Sequence, residues 1–525
     1  MSSCRVPDET EGAGEVNGVN GVNGVRNRGR LAGLPRRGSG RTRSPGLALA
    51  ITLSAQLMII LDMTVVNIAL PRIQGSLHFT PASLSWVLNG YTLTSGGLLL
   101  LGGRAGDILG RRRMFIIGIG LFTLASLAGG LATSAGLLLA ARALQGVGGA
   151  LASPAVLALV VSGFPEGRER TRALAIYMGV ITGGSSLGLV LGGVITEWLS
   201  WRWVLFINVP IGVAVVAVAP LFVPETTRLP GRFDLAGALT ATAGVTALVY
   251  GFIRAATDGW GDHLGLVAFG AAAVLIALFV VTETRARQPI TPLRLFADMS
   301  RSGSFIARLF LIAGMFGVFF FLTQFLQKIM GFSPLRAGVA FLPMTLALFA
   351  SSRLAPRLMP RLGAKPLMIA GLLPAIAGLA WLSRVSVASA YWPGIFGPMM
   401  LLGLGLGLVF VPLTTTSLAG VPAADSGAAS GLVNMLQLVG GALGLGLLVA
   451  VYGTATRHAA SHPLPGLGAA AQAQHVLAHG IATAFGFAAL LDLASLLVII
   501  ALIRTRKLSP DLAPARHEQE EAVAS

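Results

Sequence analysis

Between two long apolar segments the chain reads Gly103-Arg104-Ala105-Gly106-Asp107-Ile108-Leu109-Gly110-Arg111-Arg112-Arg113. The glycines of this stretch permit a tight turn and close helix contacts. A carboxylate at Asp107 is favoured beside the positive end of a helix dipole, and consecutive arginines favour an aqueous surface over hydrocarbon. We interpret the stretch as a loop that joins two membrane helices on the side where basic residues collect. The alternative is a generic basic loop without a specific role.

Around this loop the chain is mostly apolar. Hydrophobic residues make up 54% of the 525 residues and charged residues 11%, whereas soluble domains carry about 25% charged residues. So few charges exclude a soluble enzyme and predict an all-α, multi-pass membrane protein. Charged and Pro/Gly breaks delimit fourteen predicted transmembrane spans: 46–70, 82–103, 114–133, 137–161, 173–196, 203–223, 235–253, 264–282, 304–326, 335–352, 366–383, 393–418, 427–452 and 480–503.

The basic residues favour one orientation of these spans. Fourteen spans place both termini on one side, and if that side is cytoplasmic its tails and loops hold 29 of the 38 Lys and Arg residues. This is the bias of the positive-inside rule, and it explains the net charge of +17 without nucleic acid as a partner. One loop, 419–426, does not follow the bias.

The polar, basic and repetitive residues 1–45 predict a disordered cytoplasmic tail, and residues 504–525 are expected to form a second cytoplasmic tail.

Other types of site find little support in the sequence. No phosphate-binding loop of the form G-x-x-x-x-G-K-[ST] occurs, so ATP is not expected as a direct energy source. The single cysteine, Cys4, excludes an intrachain disulfide framework and a multi-cysteine metal site. Histidines near the last outer loop lack carboxylate neighbours, so we expect a solvated loop and no metal site there.

Three further stretches have a defined place relative to the spans. Span four contains the sequence RALQGVGGA (142–150), span one ends with LDMTVVNIALP (61–71), and WRWVLFINVP (201–210) follows span five. Together with 103–113 they resemble signatures of the major facilitator superfamily, and in particular of its fourteen-span drug:proton antiporters (EmrB/QacA type). The resemblance covers roughly residues 46–503.

The resemblance implies a major facilitator fold with two six-helix bundles and two inserted helices. The N-terminal bundle would comprise 46–223, the inserted spans and a cytoplasmic linker 224–303, and the C-terminal bundle 304–503. Substrate would bind between the bundles near the middle of the membrane. Residues 353–365 take the place of the signature loop in the second half but lack an equivalent of Asp107.

Span five carries closely spaced glycines. Gly184, Gly188 and Gly192 recur every four residues and share one helix face, which permits close packing; Gly193 follows directly. The antiporters' signature G-P-x-x-G-G is tied to export, and here Leu189 replaces its proline. A purely structural contact, without a role in transport direction, is the alternative.

Charged side chains inside spans are costly and usually functional. The resemblance implies that Asp62 and Arg142 lie beside the cavity at similar depth and couple transport to protons. Desolvation and the arginine would pull the proton affinity of Asp62 in opposite directions. The alternatives are that Asp62 only bonds neighbouring helices and that Arg142 only reaches toward the outer surface.

The signature loop is expected to control conformation. Asp107 would dock near the start of span thirteen, beside Asp425, when the cytoplasmic side is closed. The proposed latch comprises Gly103, Asp107, Gly110, Arg111, Arg112 and Arg113.

Several polar and aromatic residues within spans are candidates for the substrate cavity, with packing between helices or against lipid as the alternative. They are Asn67, Gln145, Phe316, Phe320, Gln324, Asn434 and Gln437. Asp492, in span fourteen, is a second intramembrane acid. It either takes part in proton or substrate binding or serves local helix pairing as a neutral acid.

The sequence therefore favours a proton-coupled exporter of small, mostly apolar or cationic organic compounds in the plasma membrane. It would be no enzyme, use the proton gradient as its energy source without ATP or a cofactor, and contact lipid, substrate and protons. The alternatives are a symporter for metabolite uptake and a sensor or scaffold without transport activity.

Overall fold

The computed structural model describes residues 45–165, 167–226, 228, 233–286, 289, 291–422 and 425–504. The tails predicted at the two ends, 1–44 and 505–525, lie outside the described residues. Within the described ranges the chain forms helices and turns, without a strand. The long helices are α1 (Pro45–Leu77), α2 (Trp86–Leu109), α3 (Arg111–Gly130), α4 (Ala135–Gly163), α5 (Arg168–Trp198), α6 (Asn208–Phe222), α7 (Leu235–Asp258), α8 (His263–Arg285), α9 (Met299–Gln324), α10 (Leu342–Leu362), α11 (Ala364–Leu382), α12 (Phe396–Leu418), α13 (Ser426–Ser461) and α14 (Ala469–Leu502).

Short helical segments extend three of these helices. Trp203–Phe206 precedes α6, the π-helical turn Phe325–Ile329 continues α9, and Pro334–Ala340 precedes α10. With these extensions, 13 helices of the described residues are long and apolar enough to cross a membrane. The remaining long helix, α2, falls outside that set. It packs against α4 and α13. Its polar residues can therefore contact these helices or the cavity instead of lipid.

The end of the tenth predicted span is wrong. The span was expected to end near residue 352, before a basic loop, whereas α10 continues to Leu362 and the turn to α11 falls at Gly363, with φ 83°. The arginines of this stretch lie on the exposed side of the helix while Ala355 is buried. A helix can extend beyond hydrocarbon when its charged side faces water, so the charges did not mark its end.

The two halves of the chain repeat one packing scheme. In the first half α4 packs between α2 and α3, and in the second α12 packs between α10 and α11. A Cβ on Gly118 would lie 2.7 Å from the Gly148 carbonyl oxygen, and one on Gly371 would lie 2.7 Å from the Gly405 oxygen. Glycine thus permits close backbone contact at corresponding places, as expected for bundles related by pseudo-symmetry.

The inserted helices pack on the outside of both halves. Helix α7 contacts α2 in the first half and α13 in the second, and α8 contacts α7. A Cβ on Gly97 would lie 2.2 Å from Thr242 Oγ1, and one on Gly453 would lie 2.4 Å from the Ala256 oxygen. The bridge across the two halves therefore depends on small residues.

The helix ends form two faces, which we name by their residues. The basic face contains both described chain ends and the loop between α2 and α3. Its defining residues are Pro45, Gly110, Gly167, Arg294, Gly363 and Arg504. The distal face contains the turns at the opposite ends of the helices, defined by His78, Leu131, Leu199, Gly259, Gly331, Ser386 and Gly466.

Candidate functional site

Asp62 lies at the centre of a buried polar network between four helices. Arg142 Nη1 on α4 is 2.5 Å from Asp62 Oδ2, and the Asp62 and Arg142 side chains are 0% and 1% exposed. Gln145 Nε2, also on α4, donates to Asp62 Oδ1 at 3.0 Å, and Asn208 Nδ2 at the start of α6 donates to the same oxygen at 2.9 Å. Ser126 Oγ on α3 accepts from both amides, at 2.7 and 3.4 Å. The structure therefore brings Asp62 and Arg142 together.

The hydrogen bonds of this network converge on the Asp62 carboxylate. Among the described residues, each of them comes from an N–H donor, so both oxygens act as acceptors. Removing two charges from water is costly unless the pair has close geometry and further hydrogen bonds. Gln145 and Asn208 supply those bonds. This geometry holds Asp62 and Arg142 as an ion pair.

Tyr91 lies between the ion pair and the central cavity. The Arg142 guanidinium carbon is 4.7 Å from the centre of the Tyr91 ring, and Arg142 Nε donates to the Val87 carbonyl oxygen at 2.9 Å. Tyr91 also lines the large central cavity. A cation over a tyrosine face is stabilised by the ring quadrupole. Tyr91 therefore lies between Arg142 and the cavity.

The central cavity has a volume of about 1230 Å³ and opens at the basic face. Asp107, Arg294 and Asp425 lie at its mouth. Further in, Gln56 of α1 lines one side, and Asn434 and Gln437 of α13 line another. The cavity thus lies between the two halves of the chain, and two of the seven cavity candidates reach it.

The distal face is closed by contacts between the two halves. Gln327 Nε2 donates to the Ile68 oxygen at 2.9 Å, and Lys328 Nζ bonds Gln74 Oε1. The Leu335 N–H donates to Glu197 Oε2 at 2.9 Å. The structure is therefore the conformation that is open at the basic face and closed at the distal face.

The other five cavity candidates lie outside the cavity lining in this conformation. Gln145 belongs to the Asp62 network. Asn67 and Gln324 are buried, and Phe320 meets Phe321 edge to face with ring centroids 5.0 Å apart. Phe316 packs against Gly441, where a Cβ would lie 2.8 Å from the ring. Because α9 packs against α13 and α14, Phe316 and Phe320 meet neighbouring helices and do not line the cavity.

The signature loop holds two ion pairs at the mouth. Arg111 Nη2 is 2.9 Å from Asp107 Oδ1, and Arg112 Nε is 3.8 Å from a Glu225 oxygen. Gly110 has φ 109°, and a Cβ there would lie 2.8 Å from the Glu225 carboxylate. Gly103 has more space, with Pro154 at 3.6 Å. Arg113 is exposed. The turn therefore needs glycine at 110, where the backbone is left-handed.

Across the mouth, Asp425 binds a residue of the linker that precedes α9. Arg294 Nη2 and Nε are 2.5 and 2.7 Å from the two Asp425 oxygens. This hydrogen-bonded pairing raises the pKa of the Arg294 guanidinium. In this open conformation Asp107 pairs within its own loop, while the start of α13 is bound to the linker.

The glycines of α5 adjoin the Asp62 turn of α1. A Cβ on Gly188 would lie 1.8 Å from Thr64 Oγ1, and one on Gly192 would lie 2.9 Å from the Val65 Cα. A Cβ on Gly184 would lie 2.9 Å from the Leu57 side chain. Gly193 instead faces the other half of the chain. Small residues therefore set the distance between α5 and α1 beside Asp62.

Asp492 is buried in a different place. It borders a small apolar cavity with Met344, Leu379 and Leu402, and a Cβ on Gly314 would lie 3.1 Å from its Oδ1. Its side chain is 2% exposed, and Oδ1 has no hydrogen-bond partner among the described residues. It does not line the central cavity.

The described residues do not contain a group of three or more His, Cys, Asp or Glu that could hold a metal ion.

Sequence reasoning gave no role to several residues of this site. Asn208 lay within a quoted signature, yet its contact with Asp62 spans 146 positions. Gln56, Tyr91 and Ser126 are isolated polar residues in apolar helices. Such a residue signals a buried contact or a cavity, but the sequence does not say which.

Comparisons with known proteins agree with this architecture. The model of the Major Facilitator Superfamily matches residues 52–445. The chain is 42% identical to the cephamycin export protein of Amycolatopsis lactamdurans, over 80% of this chain and 87% of that protein. It is 41% identical to the puromycin resistance protein of Streptomyces alboniger, over 88% and 92%. A crystal structure of a peptide transporter, at 16% identity, superposes with a TM-score of 0.63 over 87% of this chain and 95% of that one.

Proposed function

The chain belongs to the major facilitator superfamily, and from this premise we propose that it exports small organic compounds across the plasma membrane in exchange for protons. It is a multi-pass membrane transporter of a family of transporters, not enzymes. Export is supported by relatives named for cephamycin export and puromycin resistance, which the chain matches over most of their length. The proton gradient would supply the energy, without ATP or a cofactor.

We assign the basic face to the cytoplasm. The excess of arginine at this face supports that orientation, with both termini cytoplasmic and lipid around the helices. The central cavity then opens to the cytoplasm, from which a substrate enters. Opening of the contacts between Ile68 and Gln327, and between Glu197 and Leu335, would release it on the outside.

The observation that carries proton coupling is the network around Asp62 beside Tyr91. When Asp62 takes up a proton, one acceptor site becomes an O–H donor, and the carboxyl accepts its remaining hydrogen bonds more weakly. Its charge is then gone, and Arg142 would be left as a buried cation without a counter-ion, which is costly. Arg142 must therefore move, and with it the ring of Tyr91 at the cavity wall. A substrate against Tyr91 and a proton on Asp62 would favour different positions of the same arginine.

The mouth and the glycines would control the exchange between conformations. When the cytoplasmic side closes, Asp107 would leave Arg111 and approach the start of α13, whose helix dipole favours a carboxylate. The contacts of Gly184, Gly188 and Gly192 would let α5 and α1 move as one unit. Asp492, enclosed by apolar side chains, serves helix packing as a neutral acid in this proposal.

Substitution of Asp62 tests the coupling. A panel of toxic compounds in an efflux-deficient host, with and without a proton uncoupler, first identifies a transported compound. Asp62→Asn keeps the size of the side chain and one acceptor oxygen but cannot titrate. In everted vesicles it should abolish proton-driven accumulation and retain downhill exchange. Asp492→Asn is the matched control, since it makes the same exchange at a buried acid outside the Asp62 network.

Two outcomes would contradict the proposal. Full proton-driven accumulation by the Asp62→Asn variant would remove Asp62 from the coupling mechanism. Protection of the host that persists with the uncoupler would exclude proton exchange as the energy source. The direction of movement in the same vesicles distinguishes export from uptake.

A further inference from the structure

Resting on the export function proposed above, we propose that the central cavity selects uncharged amphipathic ligands and binds them through three side-chain amides, Gln56, Asn434 and Gln437. This narrows the substrate class, because the chain's sequence had favoured apolar and cationic compounds alike. The inference depends on where the charges lie in the cavity and on which polar atoms lack a partner.

Ionised side chains line the cavity only at its mouth. They comprise three acids and three arginines: Arg104, Asp107, Arg111, Asp234, Arg294 and Asp425. Asp107 and Asp425 are each bound by an arginine, and Asp234 caps α7 by accepting the Gly237 N–H at 2.8 Å. Asp234 Oδ2 has no hydrogen-bond partner among the described residues, but like the other two carboxylates it belongs to the mouth and not to the deep cavity.

The deep part of the cavity has no charged lining residue in the portion of the chain that the structure describes. Its polar groups are hydroxyls and amides, such as those of Tyr91, Ser95 and Gln437. Asp62 is 0% exposed and neutralised by Arg142. A ligand cation that left water here would find no carboxylate, and an unpaired charge away from water is strongly disfavoured. The deep cavity therefore favours a ligand without net charge.

The amides provide the complementary groups. Gln56 is 6% exposed, lines the cavity, and its Oε1 has no hydrogen-bond partner among the described residues. Asn434 and Gln437 are three positions apart on α13 and exposed to the cavity. An amide both donates and accepts, so these groups suit carbonyl, hydroxyl or amide groups of a neutral ligand. A buried amide atom without a partner costs free energy that such a ligand would recover.

Apolar residues surround the amides. Ile59, Ile60 and Met63 follow Gln56 within two turns of α1, and Leu438 adjoins Gln437. The volume of about 1230 Å³ exceeds the roughly 300–1,000 Å³ of most small-ligand sites. A ligand with a broad apolar surface and a few hydrogen-bonding groups fits this lining. Gln56 belongs to the first half and the α13 amides to the second, and all three line the same cavity, so a ligand that spans the cavity would contact both halves.

A pair of dyes that share one ring system tests the charge preference. Nile red is neutral and carries a ring carbonyl, whereas Nile blue is its cationic iminium counterpart. Binding is measured by fluorescence anisotropy on the full chain in nanodiscs, with empty nanodiscs subtracted. We expect Nile red to bind at least about 10-fold more tightly than Nile blue.

Substitutions then identify the groups responsible. Gln56→Leu, Asn434→Leu and Gln437→Leu should each weaken Nile red binding about 5- to 10-fold, the value of one hydrogen bond. Gln437→Glu places a carboxylate at an exposed cavity position and should reverse the preference toward Nile blue. Gln474→Leu, on an exposed side chain of α14 outside the cavity lining, is the control and should change neither affinity.

The inference is overturned if Nile blue binds as tightly as Nile red, if Nile red does not bind, or if the three Leu variants bind like the unchanged protein. Its failure can be distinguished from failure of the export proposal, because binding is measured without transport. Dye that binds with the expected preference but is never exported would contradict export alone. A host that is protected by a chain that does not bind Nile red would contradict the ligand class alone.

Discussion

Gly193 offers the sharpest test of the closed distal face. A Cβ at this position would lie 2.6 Å from Leu335 Cα and 2.7 Å from the Pro334 carbonyl oxygen. Both are backbone atoms and cannot rotate away. They belong to the other half of the chain, so Gly193→Ala disturbs a contact that exists only while the distal face is closed. Gly192→Ala is its matched control, because Gly192 meets Val65 of its own half.

The size of the effect follows from the overlap. Forcing one extra methyl group into a tightly packed contact costs about 1–3 kcal/mol. If that cost falls on the distal-closed conformation alone, the equilibrium between the two conformations shifts about 5- to 150-fold toward the distal-open one. Gly192→Ala adds a similar cost to both conformations, so it lowers stability and leaves the equilibrium unchanged.

Distances between spin labels at the distal face measure this equilibrium. With Cys4→Ser as the background, labels at Thr80 and Val387 occupy exposed positions in different halves. The long-distance population should grow in Gly193→Ala and stay constant in Gly192→Ala. An unchanged distance distribution in Gly193→Ala, in protein that is folded and monodisperse, would refute the assignment of Gly193 to the closing contact.

Three further predictions concern acids outside the Asp62 network. Asp107→Asn should slow transport in reconstituted vesicles while protein level and substrate binding stay largely intact; an unchanged rate would contradict the latch. Asp492→Leu should raise the Tm, because a buried polar atom without a partner, such as Asp492 Oδ1, costs about 1–3 kcal/mol in an apolar site, and a lower Tm would contradict this. The hydrogen bond from Arg254 lowers the pKa of Asp262, so its stabilisation of that turn is present above about pH 4, the unfolded-state value, and is lost as pH falls through the lowered pKa. The protection factor of the Gly265 amide, which donates to Asp262, should therefore fall in acid after the intrinsic exchange rate at each pH is divided out, and Asp262→Asn should remove this pH dependence.

Local features of the sequence were sufficient for the general fold. Apolar segments long enough to cross hydrocarbon predicted the fourteen long helices, because a lipid-embedded backbone must satisfy its hydrogen bonds within each helix. Helix ends were less certain. The arginines near residue 357 were interpreted as a loop, although a helix with an exposed side carries them without cost.

The candidate site could be predicted only in part. The signatures pointed to Asp62, Arg142 and the loop around Asp107, and spacing along α13 placed Asn434 and Gln437 on one face. They did not indicate that Asn208 bonds Asp62, or that Phe316 packs in the core and not in the cavity.

The apolar segments, the basic loops and the charged residues within spans could all be identified from the amino-acid sequence. Which side of each helix faces the cavity, a neighbouring helix or lipid became known only from the packed structure. Lipid is as apolar as the protein core, so a membrane helix needs no polar face on its outside. Isolated polar residues such as Gln56 and Asp492 therefore look alike in the sequence. Only the packing of the helices around them places one at the cavity and encloses the other.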